Sequence, residues 1–402
     1  MSGNRLTDFP ELILLGTWVI AIFGYFISFG PVSLVVLVYV LSFCLAFFLG
    51  GVGALKVLKV LPKKSVAASP SLLASLVIVL VLANIYYAVN VLTFISYSGS
   101  IVSALNEIRQ SMLQGDPVID GMSYFVNANQ LLFGLATLGF VLLQQRRVTY
   151  SMKYRSRFFS GYAVKSNWLF VFGVCLALGV SMLDGSRSFF MSAILMLLFT
   201  LYQLKLVRLK RIIFICIVVL FLFAVTFPIF RPDVANTLEG LKFVFVYIFG
   251  GLGSLDYVMR GDTIVYWRDV ESLANKLEAF GLPLGGLDLL AMQMDYADLP
   301  GGYSTNVYTA LGVYYQYFGY ASLVFAFLIG GLFKYVSSAS RQGVIWVYIY
   351  SFYLTALVLS IFHDYLVSTT YLLFKIFFIY FVLNFLEMLF GDRYFKSHTK
   401  VW

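Results

Sequence analysis

Ten apolar runs, each close to the length that crosses a lipid bilayer as a helix, dominate this sequence. A bilayer core of about 30 Å needs about 20 apolar residues in helical form. Because 61% of the residues are hydrophobic and only 12% are charged, an ordinary water-soluble domain is excluded. The sequence predicts an all-α fold, a polytopic membrane helical bundle with about ten transmembrane helices, in one domain over residues 1–402. The predicted spans are Leu12–Phe29, Val32–Gly50, Leu72–Phe94, Tyr124–Leu143, Trp168–Leu183, Phe189–Leu206, Ile212–Phe227, Val307–Phe333, Val344–Ile361 and Leu366–Phe390.

The basic residues between these runs are distributed unevenly. Most of the 28 Lys and Arg residues lie in every second connection, for example in Gln144–Arg157 and in the tail after Phe390. An excess of Lys and Arg marks the cytoplasmic side of a membrane protein. Basic residues at a membrane surface meet anionic lipid, which argues against nucleic acid as a partner. We therefore expect both termini in the cytoplasm and the long connections on the outer face.

Two long connections fall on the predicted outer face. In the first, residues 95–123, apolar side chains at Ile101, Leu105, Ile108 and Met112 recur at helical spacing and indicate an amphipathic helix in the outer leaflet. The second, residues 228–305, is too long to be a structureless loop in a compact protein unless it is functional. We expect it to carry the active site and to include an amphipathic helix around Thr263–Leu277.

The second connection contains an apolar stretch, Lys242–Met259, that is interrupted by Gly250, Gly251 and Gly253. Irregular backbone at membrane depth must be buried in protein or line a wet cavity. The stretch therefore favours a re-entrant or interfacial segment beside a cavity. The alternative is an eleventh crossing, which would reverse the sidedness of every later segment.

Four arginines lie at the predicted outer boundary: Arg187, Arg231, Arg260 and Arg268. The guanidinium group suits bidentate binding of phosphate, so several arginines around one cavity would hold a diphosphate at lipid-headgroup depth. The alternative is that each arginine pairs with a neighbouring acid, as Arg231 could with Asp233.

A histidine and several acids are the candidate proton acceptors. His363 lies in the short outer turn between the last two spans, and Asp256, Asp262 and Asp288 are rival bases. The alternative for His363 is a hydrogen-bonded side chain at a helix end. Lys375 lies inside the last span, where a charge normally faces a wet cavity or an ion-pair partner. With two histidines on opposite sides, we expect no metal site and no cofactor.

Three short stretches resemble the Wzy-type polymerases, the oligosaccharide repeat unit polymerases of O-antigen and capsule synthesis. They are Gly185-Ser-Arg187-Ser188; Ser304-Thr-Asn306-Val-Tyr308-Thr309 followed by Gly312 and Phe318-Gly319; and Tyr247 to Asp256-Tyr257 with its glycines. Two features depart from that family. Tyr317 stands where the family often has an acid before Phe-Gly, and no R-x10-G pattern follows Arg231, Arg260 or Arg268.

The resemblance implies a GT-C-like membrane glycosyltransferase of lipopolysaccharide or other polysaccharide biosynthesis in the bacterial inner membrane. Such an enzyme polymerises undecaprenyl-diphosphate-linked oligosaccharide units at the outer face, beside membrane lipids, a chain-length regulator and a flippase. The arginines would hold the diphosphate, and a carboxylate or His363 would take the acceptor proton. Tyr303, Asn306, Tyr308 and Lys375 would contact substrate, although an aromatic belt explains the tyrosines equally well.

Two other functions fit the same sequence. An O-antigen ligase or a SEDS-like glycosyltransferase has a similar number of spans and a large outer loop. A flippase or exporter of lipid-linked sugar belongs to another class, and it predicts charges deep in several spans together with internal repeats. Only Lys375 is clearly intramembrane in the sequence, so polymerisation is favoured.

Overall fold

The computed structural model describes residues 9–55, 70–100, 103–105, 107–108, 111, 118–119, 121–153, 160–183, 187–230, 237–265, 296–305, 307–341 and 343–398. Thirteen α-helices and one β-hairpin account for most of these residues. The helices are α1 Pro10–Phe29, α2 Leu34–Leu55, α3 Pro70–Ser98, α4 Met122–Lys153, α5 Ser160–Leu183, α6 Arg187–Gln203, α7 Leu209–Phe230, α8 Thr237–Phe249, α9 Gly251–Arg260, α10 Ala310–Phe318, α11 Ser322–Ser340, α12 Val344–Leu359 and α13 Tyr365–His398. The hairpin strands are β1 Ala297–Leu299 and β2 Tyr303–Thr305.

All ten apolar runs are helical, and their lengths indicate a membrane-embedded, multi-pass protein. Among the described residues, six segments are long and apolar enough to cross a bilayer, and the bent pair α8–α9 would make a seventh. The six are Pro10–Phe29, Leu34–Ala54, Leu72–Ser98, Tyr124–Gln144, Ala310–Ser340 and Thr369–Leu386. Three more of the predicted ten, at Trp168–Leu183, Phe189–Gln203 and Ile345–Leu359, are apolar but shorter. The tenth, Ile212–Phe227, is helical within α7 but is not among the segments that meet the length and hydropathy criteria in the described residues.

The predicted eighth span, Val307–Phe333, is broken rather than continuous. Helix α10 ends at Phe318, a short 3-10 turn covers Gly319–Ala321, and α11 follows. Gly319 has φ of 54°, a left-handed conformation that glycine adopts without steric cost. The break therefore follows from one glycine inside an otherwise apolar run.

The chain forms two compact units. Unit 1 comprises Met1–Pro62, Leu201–Gln342 and Ile349–Thr369, and unit 2 comprises Lys63–Thr200, Gly343–Tyr348 and Thr370–Trp402. In unit 1, α2 and α11 share an extensive interface. A Cβ atom at Gly50 would overlap the carbonyl of Phe327, and one at Gly330 would overlap the carbonyl of Phe47. The two backbones therefore touch, as small residues permit in membrane helix pairs.

A buried ion pair joins α1 to α11 in unit 1. Lys334 Nζ donates to Glu11 Oε1 at 2.9 Å, and the two side chains are only 10% and 12% exposed. The ammonium also lies 5.1 Å from the ring centroid of Phe9. Sequence reasoning missed this pair because it placed Glu11 and Lys334 in separate cytoplasmic segments.

Unit 2 contains α3, α4 and α5, which pack against one another. Its core includes Tyr87, Val91, Met122 and Val180. Ile108, from the predicted amphipathic helix, belongs to this core, and the described residues of that segment at 103–105, 107–108 and 111 are helical. The apolar face of this segment is therefore packed against protein, at least at Ile108.

Candidate functional site

The glycine-interrupted stretch of unit 1 forms two helices, α8 and α9, that meet at a bend of 43°. Both a broken span and a re-entrant loop have this geometry. The three glycines are packed against protein, so the prediction that they line a cavity is wrong. A Cβ at Gly250 would lie 2.9 Å from Leu299 Cδ1, and one at Gly251 would lie 2.8 Å from the carbonyl oxygen of Ile361. A Cβ at Gly253 would overlap Leu299.

The β-hairpin lies against this bend. Leu299 pairs with Tyr303 in antiparallel register, and the loop between them contains Gly301 and Gly302 with φ of 86° and 78°. Glycine is favoured at such left-handed positions in hairpin loops. The alternation of the strands buries Leu299 and Thr305 and leaves Asp298 exposed. One face of the hairpin therefore packs against α9.

The chain after the hairpin is fixed to the turn between α12 and α13. Thr309 caps α10, since its Oγ1 accepts from the backbone N–H of Gly312 at 3.1 Å. The backbone N–H of Ala310 donates to the carbonyl of Ser360 at 2.8 Å. Because Gly251 also approaches Thr309 and Ile361, three separate sequence stretches meet at the start of α9.

Asp364 fixes the turn that carries His363. Its side chain is fully buried, and Oδ1 accepts from Tyr314 Oη at 2.7 Å and from the backbone N–H of Leu366 at 2.9 Å. Asp364 thereby caps α13 and ties its first turn to α10. His363 is partly exposed, and its ring centroid lies 6.2 Å from that of Tyr365. Sequence reasoning did not select Asp364, although an acid directly before a long apolar helix is a recognisable capping signal.

The other end of α9 carries a group of charges that we name the carboxylate–arginine cluster: Asp256, Arg260 and Asp262. Arg260 Nη2 lies 3.2 Å from Asp256 Oδ2, and Nη1 lies 3.5 Å from Asp262 Oδ2. Gly261, at φ of 79°, ends the helix, and the backbone N–H of Asp262 bonds to the carbonyl of Tyr257 at 3.0 Å. The turn thus returns Asp262 towards Arg260.

The cluster corrects the predicted role of Arg260. Its guanidinium group is held between two carboxylates and lies 4.8 Å from the ring centroid of Tyr257. The three formal charges sum to one negative charge, which opposes binding of a diphosphate. Pairing with neighbouring acids, the alternative for these arginines, is what the structure contains at Arg260.

Aromatic rings of α1 lie beside the hairpin and α9. The ring centroids of Tyr25 and Phe29 are 5.2 Å apart, and those of Phe29 and Tyr303 are 6.2 Å apart. Tyr303 is partly exposed. Tyr308, by contrast, is 1% exposed, and its hydroxyl lies 3.3 Å from Thr263 Oγ1. Its predicted contact with substrate is wrong for this structure because no ring face is accessible.

The remaining predicted site residues belong to unit 2 or are outside the described residues. Arg187 begins α6 in unit 2, and its side chain is outside the described part of the structure. Arg231, Arg268, Asn306, Asp288 and most of the predicted helix Thr263–Leu277 are also outside the described residues. Lys375 belongs to unit 2, where its Nζ lies 3.2 Å from Asn127 Oδ1.

Unit 1 therefore presents carboxylates and a guanidinium group at one end of α9, and a partly exposed tyrosine in the hairpin that packs against the other end. Paired carboxylates and aromatic rings are groups that can hydrogen-bond and stack on a sugar, and a carboxylate can accept a proton from a hydroxyl. No protein-family model, curated protein or solved structure matches this chain. The functional assignment rests on these residues and on the sequence patterns that predicted them.

Proposed function

We propose that this chain is an integral membrane glycosyltransferase that extends a glycan carried on a polyprenyl diphosphate. In this proposal the chain crosses the bacterial inner membrane about ten times, with both termini in the cytoplasm and the site of unit 1 at the outer face. The excess of basic residues in alternate connections supports the orientation. The resemblance to repeat unit polymerases supports undecaprenyl-diphosphate-linked oligosaccharides of the O-antigen or capsule type as substrates.

The observation that carries the proposal is the meeting of three stretches in unit 1. Tyr247–Tyr257, Ser304–Thr309 and His363–Tyr365 were each selected from the sequence as functional. The first two meet at Gly251 and Thr309, and the residues just before His363 join them, because Ile361 approaches Gly251 and Ser360 accepts from the backbone of Ala310. Convergence of candidate segments that are distant in sequence is what an active site requires. The carboxylate–arginine cluster, at the end of α9, supplies the groups for chemistry.

The transfer needs one base and one group that binds the leaving diphosphate. A hydroxyl oxygen of the acceptor sugar attacks the anomeric carbon of the donor, and the bond from that carbon to the diphosphate oxygen breaks. Asp256 or Asp262 accepts the hydroxyl proton, with His363 as the second candidate. The lipid diphosphate leaves with the bonding electrons, and Arg231 and Arg268, the predicted diphosphate-binding arginines of the same connection, stabilise its charge. Arg260 holds the two carboxylates.

Reconstitution with a defined substrate tests the proposal. Purified protein in liposomes receives lipid-linked repeat units without an energy source, and products are separated by length. We expect a ladder of longer glycans on lipid. Asp256→Asn or Asp262→Asn should lower the rate by about 10²- to 10⁴-fold, because a general base contributes that much. Glu107→Gln removes an exposed acid in unit 2 and should leave the rate unchanged.

The same assay separates the proposal from its rivals. Movement of the lipid-linked sugar across the bilayer without chain growth would favour a flippase, and a single transfer to another acceptor would favour a ligase. The Glu11–Lys334 pair is the charge pair that a transporter could use, but it lies near the ends of α1 and α11 rather than at mid-span. Arg231→Ala should lose product while the protein remains folded.

A further inference from the structure

Lys375 is the one charged residue in the apolar stretch Thr369–Leu386 of α13. Its ammonium group lies 3.2 Å from Asn127 Oδ1 on α4 and 4.2 Å from the ring centroid of Tyr371. No carboxylate among the described residues pairs with it. Lys334 differs, because its charge is neutralised by Glu11 at 2.9 Å. Lys375 therefore carries a positive charge that the described part of the protein leaves uncompensated.

The surroundings of Lys375 place this charge at a lipid-facing surface. Tyr371, Phe374 and Phe378 on the same helix are 42%, 69% and 61% exposed. Lys375 itself is half-buried, so its ammonium is accessible beside these rings. Exposed aromatic side chains on a membrane helix contact lipid chains, whereas an ammonium group in that environment is costly without an anion.

The direction of the side chain brings the ammonium towards a headgroup. Helical side chains point towards the N-terminus of their helix. Both contacts of Lys375 are consistent with this direction, because Tyr371 lies one turn earlier in α13 and Asn127 is near the start of α4. Lys375 follows Thr369 by about 9 Å at 1.5 Å per residue. The lysine stem extends the ammonium several ångströms further towards that end of the apolar stretch, the end nearer to the lipid phosphates.

We propose that Lys375, Asn127 and Tyr371 form a binding site for the phosphate group of a lipid. The ammonium binds the phosphate, Asn127 orients the ammonium, and the rings of Tyr371 and Phe374 contact the lipid chain. This site goes beyond the proposed function, because it predicts lipid retention whether or not the protein transfers sugar. The phosphate can belong to a membrane phospholipid or to a polyprenyl phosphate, since both present the same anion at this depth.

Native mass spectrometry of the purified full-length protein tests this site without any sugar donor. The protein is titrated separately with phosphatidylglycerol, undecaprenyl phosphate and diacylglycerol, which lacks phosphate. We expect Lys375→Met to weaken binding of at least one phosphate lipid by about five- to tenfold, the effect of one basic residue at a membrane surface. Lys375→Arg should retain binding. Lys210→Met removes an exposed lysine of α7 and is the control for net charge.

Each outcome of this titration decides the proposal. Weaker binding of phosphatidylglycerol, of undecaprenyl phosphate or of both by Lys375→Met supports the proposal and identifies the source of the phosphate. Equal binding by wild type and Lys375→Met overturns it. An equal loss in Lys210→Met, or an equal loss of diacylglycerol, also overturns it, because net charge or chain packing then explains the effect. Asn127→Ser, with the ammonium intact, should weaken binding of the same phosphate lipid relative to wild type, and this variant covers the case in which Lys375→Met does not fold.

Discussion

Two regions of unit 1, the α2–α11 interface and helix α9, both depend on glycine, but the glycines allow different kinds of contact. At the interface, Gly50 and Gly330 let two apolar helices touch backbone to backbone. At α9, Gly250, Gly251 and Gly253 admit a hairpin side chain, a backbone carbonyl of a turn and the ring of Tyr25. Glycine marks a close approach in both regions. The residues that contact each glycine show whether it lets two helices pack together or brings together segments that are distant in sequence.

The regions also differ in charge. The carboxylate–arginine cluster at the end of α9 is exposed, with side-chain exposures of 29%, 54% and 46% for Asp256, Arg260 and Asp262. The charge pair of α11, Lys334 with Glu11, is nearly buried. We therefore expect substitutions along α11 to change stability, and substitutions at the cluster to change activity with little effect on stability.

The largest effect is expected at Gly330. In Gly330→Ala the new methyl group would overlap the carbonyl of Phe47, and a backbone atom cannot move aside as a flexible side chain can. The free energy of unfolding should fall by about 3 kcal/mol or more, the upper range for an overpacked core. Thermal unfolding and size-exclusion chromatography in detergent measure the change.

The neighbouring glycine supplies the control for this prediction. A Cβ at Gly331 would lie 3.5 Å from the carbonyl of Gly50, which is an ordinary contact distance. Gly331→Ala should therefore unfold at nearly the wild-type temperature. If both alanine variants unfold together, the close approach of α2 and α11 is not what stabilises unit 1.

The next effect is expected at the buried ion pair. Removing one partner leaves the other charge nearly buried and unpaired. Because the two side chains keep 10% and 12% exposure, Lys334→Met alone should lower the unfolding free energy by about 3 kcal/mol, the lower end of the range for a buried pair. The double variant with Glu11→Leu should recover most of this loss, because neither charge is then left unpaired. A double-mutant cycle by thermal unfolding measures the coupling. Additive losses would show that the two side chains act independently.

The sequence was sufficient to predict the helices but not their contacts. Length and apolar content identified all ten runs, and the glycines at 250, 251 and 253 identified the bend between α8 and α9. Gly319 was visible in the sequence, yet nothing local showed that it would break a span. Glu11 and Lys334 are 323 residues apart in the sequence, so no spacing rule could reveal the pair.

The sequence likewise predicted the segments of the candidate site but not the contacts between them. The three stretches that meet around α9 were each selected from the sequence, whereas their meeting depends on tertiary packing through Gly251 and Thr309. Asp256 precedes Arg260 by four residues, the spacing that pairs charges on one helix face, and this signal was overlooked. Tyr308 was selected only because it is a tyrosine, and the residue type does not show whether the side chain is buried.

The smallest effect on stability is expected at Arg260. This residue therefore tests whether the cluster at the end of α9 serves activity while α11 serves stability. Arg260→Gln breaks both contacts of the carboxylate–arginine cluster, but exposed ion pairs contribute less than about 1 kcal/mol. Unfolding should therefore stay close to wild type, as in Lys210→Gln, while glycan extension falls because Asp256 and Asp262 repel each other and lose their geometry. Arg260→Lys should restore part of the activity. A stability loss as large as that of Lys334→Met would instead make the end of α9 a structural element, and the carboxylates there would no longer be the best candidates for the base.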